Sequence, residues 1–523
     1  MRAPSGRNVI CSVASVLTNP ALQLLATPIL IKGLGLTDFG IWAFINALIA
    51  MGVTSVGMSE AGTKYVALHR SRNDPSRVIK TIQTILTVYM VLGIFLTAAL
   101  SFNAPWLAQH VLKLSSERIA IGTTWIHLTA AAVIIKFAYA VLEAVVRGFY
   151  RYDIESTCAM LNTVGTTIFA VICVRLGYGL NMILVGTIGF LLLCAAGLCI
   201  ATRSFVGSWR FMIPAIDRSS AKEIFGFGAF TWLQAVNCIV MYQMDRVFVG
   251  TFLGAAALGY YVVCSQLVQT AHAILSRGGA FLFPLIVKYR EERRRAELWI
   301  LFRRGMILTT CVGWALSGGL MVFGSDFLTL WLGSDFANKA AATLQILAVW
   351  NAFLATSVVP FYFMNANGGE KVNALLGTAG AGIFIGAANF LVPIAGTVGA
   401  ATAKLLSVAD GIVIRTILFR REFEYRHWWS GLATMLPTSL ATCVVLLVHW
   451  FCWWQSVPHW QGNIAAYGFA SAACIAGCWG IYSHILRRID LPQQATTLAP
   501  ADSASSSGLI VQVLQADDDT WEV

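Results

Sequence analysis

The 523-residue sequence predicts an all-α integral membrane fold: about fourteen transmembrane helices, two pseudo-symmetric six-helix lobes plus two C-terminal helices around a central cavity. Three observations carry this. Hydrophobic residues make up 57% of the chain and charged residues 12%, with mean hydropathy +0.71, too apolar for a soluble core of ordinary composition. The apolar stretches run about 20 residues, enough for a helix rising about 1.5 Å per residue to cross about 30 Å of hydrocarbon, and they lack the alternation of a membrane barrel. Finally, Leu-Gly-Leu-Thr-Asp-Phe-Gly-Ile-Trp at 34–42 returns as Leu-Gly-Ala-Ala-Ala-Leu-Gly-Tyr-Tyr at 253–261, an offset of 219.

Taken in order, the first span (9–31) follows Arg2 and Arg7 with no small-residue cleavage site, so it reads as a retained helix. A Leu-Gly pair then marks a tight turn, because glycine reaches positive φ at little cost, and the second span (39–66) follows. Spans at 79–101, 119–146, 155–176 and 180–202 complete a first lobe over 1–204, and a polar linker covers 205–222. The second lobe, 223–420, holds spans at 223–250, 257–286, 301–323, 339–365, 372–394 and 397–419, its first two again divided by Leu-Gly. Two further spans, 430–452 and 464–486, lie within 421–489; from 490 a Ser- and Ala-rich segment closing on Asp517, Asp518 and Asp519 has the composition of a disordered tail.

The loops Arg147-Gly-Phe-Tyr-Arg-Tyr-Asp153 and Asn367-Gly-Gly-Glu-Lys371 follow the fourth and tenth spans at nearly the same offset, so six spans map on six. Six is even, hence both copies enter the membrane from one side, as parallel repeats about an axis along its normal. Of the 36 Lys and Arg residues, 26 fall on the side of the N-terminus and 5 on the other, which places both termini in the cytoplasm. The net charge of +11 therefore reads as topology, and nucleic acid is not expected as a partner. The basic loop 288–295 is either an anchor on anionic lipid or a docking element. Twelve cysteines sit almost entirely in apolar spans with no Cys-x-x-Cys, so neither disulfide nor metal is expected; there is no Walker A loop, and no cofactor is implied.

Leu34-Gly35 through Gly40, Gly57 through Tyr65, Arg147-Gly148-Phe149-Tyr150-Arg151, Asp245-Arg246 with Leu253-Gly254 through Tyr261, and Gly399-Ala400-Ala401 together resemble the polysaccharide transporter branch of the multidrug/oligosaccharidyl-lipid/polysaccharide flippase superfamily. The resemblance spans roughly 8–490 and rests on the order and spacing of short, glycine-dominated motifs. It implies a non-enzymatic flippase of the bacterial inner membrane that moves undecaprenyl-diphosphate-linked oligosaccharide units outward by alternating access, for surface polysaccharide synthesis. It also implies a cavity lined by helices 1, 2, 7 and 8, and membrane lipids, a polymerase and chain-length machinery as partners of what would be a monomer.

Five cations remain inside spans: Lys64, Lys136, Arg246, Arg277 and Lys404. Each needs a counter-charge or a watery cavity, and a diphosphate is one such partner. Lys64 and Arg277 are the leading candidates, with Lys136 and Lys404 beside them, although Lys64 has a local partner in Glu60 and Lys136 in Glu143. Arg246 is expected to pair with the adjacent Asp245. Gln234 and Asn237 on the seventh span, and Gln266, Gln269 and His272 on the eighth, form polar stripes suited to sugar contacts or to helix–helix bonding. Glu60, Glu143, Asp245 and Asp410 are candidates for ion coupling or for closing a gate. A multidrug antiporter would favour an acidic cavity, a lipid II flippase is harder to separate, and a polysaccharide polymerase or ligase needs a long catalytic outer loop that is missing between the spans.

Overall fold

The computed structural model describes residues 22–54 and 57–408, and regular structure among them is helical throughout. The start of the first span, the two spans after 421 and the tail lie outside the described residues. The helices are α1 (Leu22–Leu34), α2 (Leu36–Thr54), α3 (Gly57–Ser71), α4 (Pro75–Phe102), α5 (Ile119–Gly148), α6 (Tyr152–Arg175) and α7 (Leu180–Val206). A linker leads to α8 (Arg218–Leu253), α9 (Ala255–Glu291), α10 (Arg295–Leu332), α11 (Ser334–Ala355), α12 (Val358–Ala366) and α13 (Glu370–Ser407). Seven helical stretches among the described residues are long and apolar enough to cross a membrane. The expected tenth span is seen as two helices, and the eleventh and twelfth run together as α13 through a kink at Gly396, φ +62°.

Both Leu-Gly turns use left-handed backbone: Gly35 has φ +80° and Gly254 φ +85°. Each directs the next helix back toward the other, and α2 and α9 cross through the second glycine of each repeat. A Cβ at Gly40 would lie 2.0 Å from the Ala255 carbonyl oxygen, and one at Gly259 would lie 2.8 Å from that of Leu36. The contact is reciprocal and made by backbone, as small residues permit between helices in lipid.

Three apolar clusters hold the bundle. The largest joins α1, α2, α5, α8, α9, α11 and α13 through residues such as Phe39, Phe44, Ile126, Val249, Tyr261, Trp350, Phe384 and Ala400. A second, with Ala61, Ile82, Tyr89, Phe137 and Leu198, also takes in Phe211 of the linker and Ile224 of α8. A third packs Ile286, Phe302 and Phe363 between α9, α10 and α12. Large apolar side chains such as Phe95, Leu193, Phe390 and Ile394 face outward, as hydrocarbon surroundings allow.

The end of the bundle opposite the Leu-Gly turns is basic and polar. Arg70 Nη1 donates to the Phe149 carbonyl and Arg290 Nη1 to that of Ala366, each at 2.8 Å, an equivalent bond in each repeat. There the linker is strapped to α4: Gln83 donates to the Arg210 carbonyl at 2.8 Å, Thr87 to that of Ala215 at 3.2 Å, and the Asp217 N–H to the Thr84 hydroxyl at 3.1 Å. Glu223 on α8 lies 3.3 Å from His69 of α3 and 3.5 Å from Arg77 of α4. Asp217 caps α8, accepting from the Ser220 N–H at 2.9 Å. That bond, with the Ser220 hydroxyl and the Lys80 charge, holds its carboxyl below the usual carboxylate range.

Two outcomes follow for purified protein in detergent. Gly40→Ala forces the α2–α9 backbones apart and costs about 1–3 kcal/mol, whereas Gly35→Ala, with open space around its Cβ, costs only about 1 kcal/mol of backbone strain. Equal falls in melting temperature would contradict the close crossing. Asp217→Ala removes about 1 kcal/mol of capping. Because the folded carboxyl titrates low, this contribution is complete above about pH 4 and fades as pH falls through the depressed value, so the gap between wild type and Asp217→Ala closes in acid. A gap independent of pH would refute the charged cap.

Candidate functional site

Helices α1, α2, α5, α6, α7, α8 and α9 surround a cavity of about 570 Å³. Its surface is built from helical spacing. On α6, Asn162, Thr163, Thr166 and Thr167 fall on one face, joined by Gln23 and Thr27 of α1, Asn46 of α2, Thr187 of α7, and Gln266, Gln269 and Thr270 of α9. Several hydroxyls spend their proton on their own helix: Thr27 to Gln23 O at 2.7 Å, Thr166 to Asn162 O at 2.6 Å, Thr167 to Thr163 O at 2.8 Å and Thr270 to Gln266 O at 2.9 Å. What such a threonine has left to offer is acceptor oxygen. The Asn162 side-chain oxygen is a further buried acceptor without a partner among the described residues. Phe39 and Trp42, with ring centroids 5.7 Å apart, add an aromatic patch.

Two cations line the cavity, Lys136 from α5 and Arg246 from α8, and no carboxylate does so among the described residues. Lys136 Nζ lies 3.9 Å from the centroid of the Tyr139 ring. Neither cation makes an ion pair with a described residue, and the buried Arg246 Nε has no hydrogen-bond partner among them. A charge at membrane depth costs about 2.5–3.5 kcal/mol on insertion scales, so both call for water or an anion in the space they face.

The Arg246 side chain makes no ion pair with Asp245, although it lies in the field of that carboxylate, which is bonded by Lys404. The Lys404 ammonium bonds to Asp245 Oδ2, and both side chains are fully buried. Tyr261 donates to the same oxygen at 2.9 Å, and Asp245 Oδ1 accepts the Arg246 backbone N–H at 2.9 Å. The rings of Trp350 and Tyr242, with centroids 4.8 and 5.8 Å from Lys404 Nζ, surround the ammonium. In the structure, then, Lys404 pairs in the core and does not line the cavity, whereas Arg246, expected to pair with Asp245, does line it. Successive helix residues point about 100° apart, so adjacency in sequence was a poor sign of pairing.

Of the other predicted residues, Gln266 and Gln269 line the cavity, Gln266 bonding across to Gln23 and Gln269 to Ser265 at 2.8 Å. Gln234 donates to the Glu370 carbonyl at 3.0 Å, and Asn237 to the Ala374 carbonyl at 2.8 Å and to Thr378 at 3.2 Å, so this stripe binds α8 to α13. His272 bonds Ser276 at 2.9 Å and stacks on Tyr242. Lys64 is exposed, its Nζ 5.6 Å from the Tyr65 centroid. Glu143 is half-buried on α5, in the field of Lys136 and Arg147 and away from the cavity wall. The side chains of Glu60 and Arg277, and all of Asp410, lie outside the described residues. The α6 face was missed, although Asn162, Thr163, Thr166 and Thr167 stand close together in the fifth span.

The family described as polysaccharide biosynthesis protein matches residues 29–341. A Shigella flexneri protein provisionally named an O-antigen transporter is 22% identical over 432 residues, covering 80% of this chain and 97% of its own length. Among solved structures, the lipid II flippase MurJ in its inward closed conformation is similar in fold, with TM-score 0.71 and 12% identity, over 91% of this chain and 99% of that one. An inward-facing multidrug resistance MATE family transporter of the MOP superfamily matches with TM-score 0.59 and 13% identity, over 81% of this chain and 98% of its own. With the family match covering more than half its length, the chain belongs to the polysaccharide biosynthesis protein family.

Proposed function

We propose that this multi-pass membrane flippase carries undecaprenyl-diphosphate-linked oligosaccharide units from the cytoplasmic to the outer leaflet of the bacterial inner membrane by alternating access. The observation that carries the reading is one cavity with two cations, no carboxylate among the described residues, and a wall of acceptor oxygens. Charge-assisted hydrogen bonds from Lys136 and Arg246 suit a diphosphate, each worth about 1.5–3 kcal/mol. Sugar hydroxyls suit the threonine and asparagine oxygens, and the aromatic patch of Phe39 and Trp42 suits the apolar face of a sugar ring. A cavity of about 570 Å³ falls within the usual range of small-molecule sites, about 300–1,000 Å³.

In this reading the two cations belong to different lobes, Lys136 to 1–204 and Arg246 to 223–420, so a bound diphosphate links the halves that must rock. The cavity's ends support loading from the basic side, taken as cytoplasmic. The pairs of Glu223 with Arg77 and of Asp217 with Lys80 join exposed cations to half-exposed carboxylates, and such surface pairs contribute about 0–1 kcal/mol each. Toward the Leu-Gly turns α2 and α9 cross backbone to backbone at Gly40 and Gly259, and in this reading that contact parts for release. Glu143 remains the described carboxylate proposed for ion coupling, because Asp245 is engaged by Lys404 and Tyr261. The absence of a carboxylate from the described lining disfavours a cationic drug as cargo.

The test is flipping of a fluorescent undecaprenyl-diphosphate oligosaccharide in proteoliposomes. Arg246→Gln and Lys136→Gln each slow transport by roughly tenfold or more, the scale of one charge-assisted bond. Wild-type rates in both, with folding intact, would overturn the assignment of the cavity.

A further inference from the structure

We infer that Lys404 is a positioning residue: by holding the Asp245 carboxylate it keeps the Arg246 guanidinium off that carboxylate and turned toward the cavity. The inference rests on the reading of Arg246 as the ligand of an anionic head group, and adds to it what sets that ligand in place.

The carboxylate is the starting point. Asp245 is fully buried at membrane depth, where an ionised group demands a counter-ion. Its Oδ1 is already bound to the Arg246 backbone N–H, which puts it beside the base of the arginine side chain. An arginine there, long and rich in donors, is the obvious counter-ion. It is not the one used. The ammonium of Lys404 arrives from the far side, out of α13, and takes Oδ2 together with Tyr261. Trp350 and Tyr242 fix that ammonium at 4.8 and 5.8 Å, and Lys404 does not line the cavity. The carboxylate is thereby satisfied from behind, and the guanidinium has no reason to fold back on it. Its buried Nε without a partner among the described residues is what this arrangement leaves.

The geometry has a directional consequence that simple core packing lacks. Removing Lys404 alone strands Asp245, and Arg246 becomes the nearest cation able to neutralise it, at the cost of the cavity. Removing the carboxylate alone strands the buried Lys404 ammonium instead. Removing both leaves Arg246 where it is, although the ion pair has gone.

The full-length protein in nanodiscs, titrated with undecaprenyl diphosphate by microscale thermophoresis, tests this, with melting temperature as the check on folding. Lys404→Met weakens binding by roughly tenfold or more, as loss of one charge-assisted bond would. The double variant Asp245→Asn/Lys404→Met binds within about threefold of wild type, well under that tenfold step. Adding Arg246→Gln abolishes the rescue. If Lys404→Met does not fold, the double variant decides alone: near-wild-type affinity supports the inference and weak binding overturns it. Unchanged affinity in a folded Lys404→Met also overturns it. Should Arg246→Gln alone bind as well as wild type, the reading of Arg246 as an anion ligand falls and this inference with it; weak Arg246→Gln beside a weak, folded double variant removes only the positioning role.

Discussion

A charge inside hydrocarbon must be paired or wetted, and the interior of this bundle is arranged around that constraint. Asp245 and Lys404 meet it by pairing in the core, walled by Trp350, Tyr242 and Tyr261. Lys136 and Arg246 meet it by facing the same cavity without a carboxylate among the described lining. The two solutions are linked, since the pair in the core is what leaves Arg246 for the cavity. A site for an anion thus arises from where one lysine on α13 sends its charge.

The second constraint is close backbone approach. Leu-Gly at 34–35 and 253–254 was legible in the sequence as a repeated turn, and the left-handed φ at Gly35 and Gly254 gives that reading its physical form. The partner glycines carried more than the repeat alone suggested. Gly40 and Gly259 put α2 and α9 into contact at a distance no Cβ would tolerate, so they lock two helices together as well as mark the duplication. At the basic end of the bundle the helices meet through side chains instead, with Glu223 between His69 and Arg77.

Hydropathy, glycine spacing and the distribution of Lys and Arg made the membrane class readable, because each reflects a local rule that a single sequence obeys. Partnership among the intramembrane charges was not readable in the same way. Asp245 beside Arg246 looked like a pair, and the true partner lay 159 residues away on another helix. Likewise Gln234 and Asn237 have the spacing of a sugar-binding stripe, yet they bond α8 to α13, since a polar face turned inward from lipid serves helix packing as readily as a ligand. The α6 threonines were passed over for the opposite reason: uncharged and scattered among apolar residues, they acquire meaning only when α1, α2 and α9 bring further acceptor oxygens to face them.

The central claim is that the diphosphate sits between Lys136 and Arg246. An experimental structure with an undecaprenyl-diphosphate oligosaccharide bound tests it most directly. The account predicts phosphate density within hydrogen-bonding distance of both side chains, with Lys404 still on Asp245 and the sugars against α6. Phosphate density at another cluster of cations, with Arg246 folded onto Asp245, would contradict it.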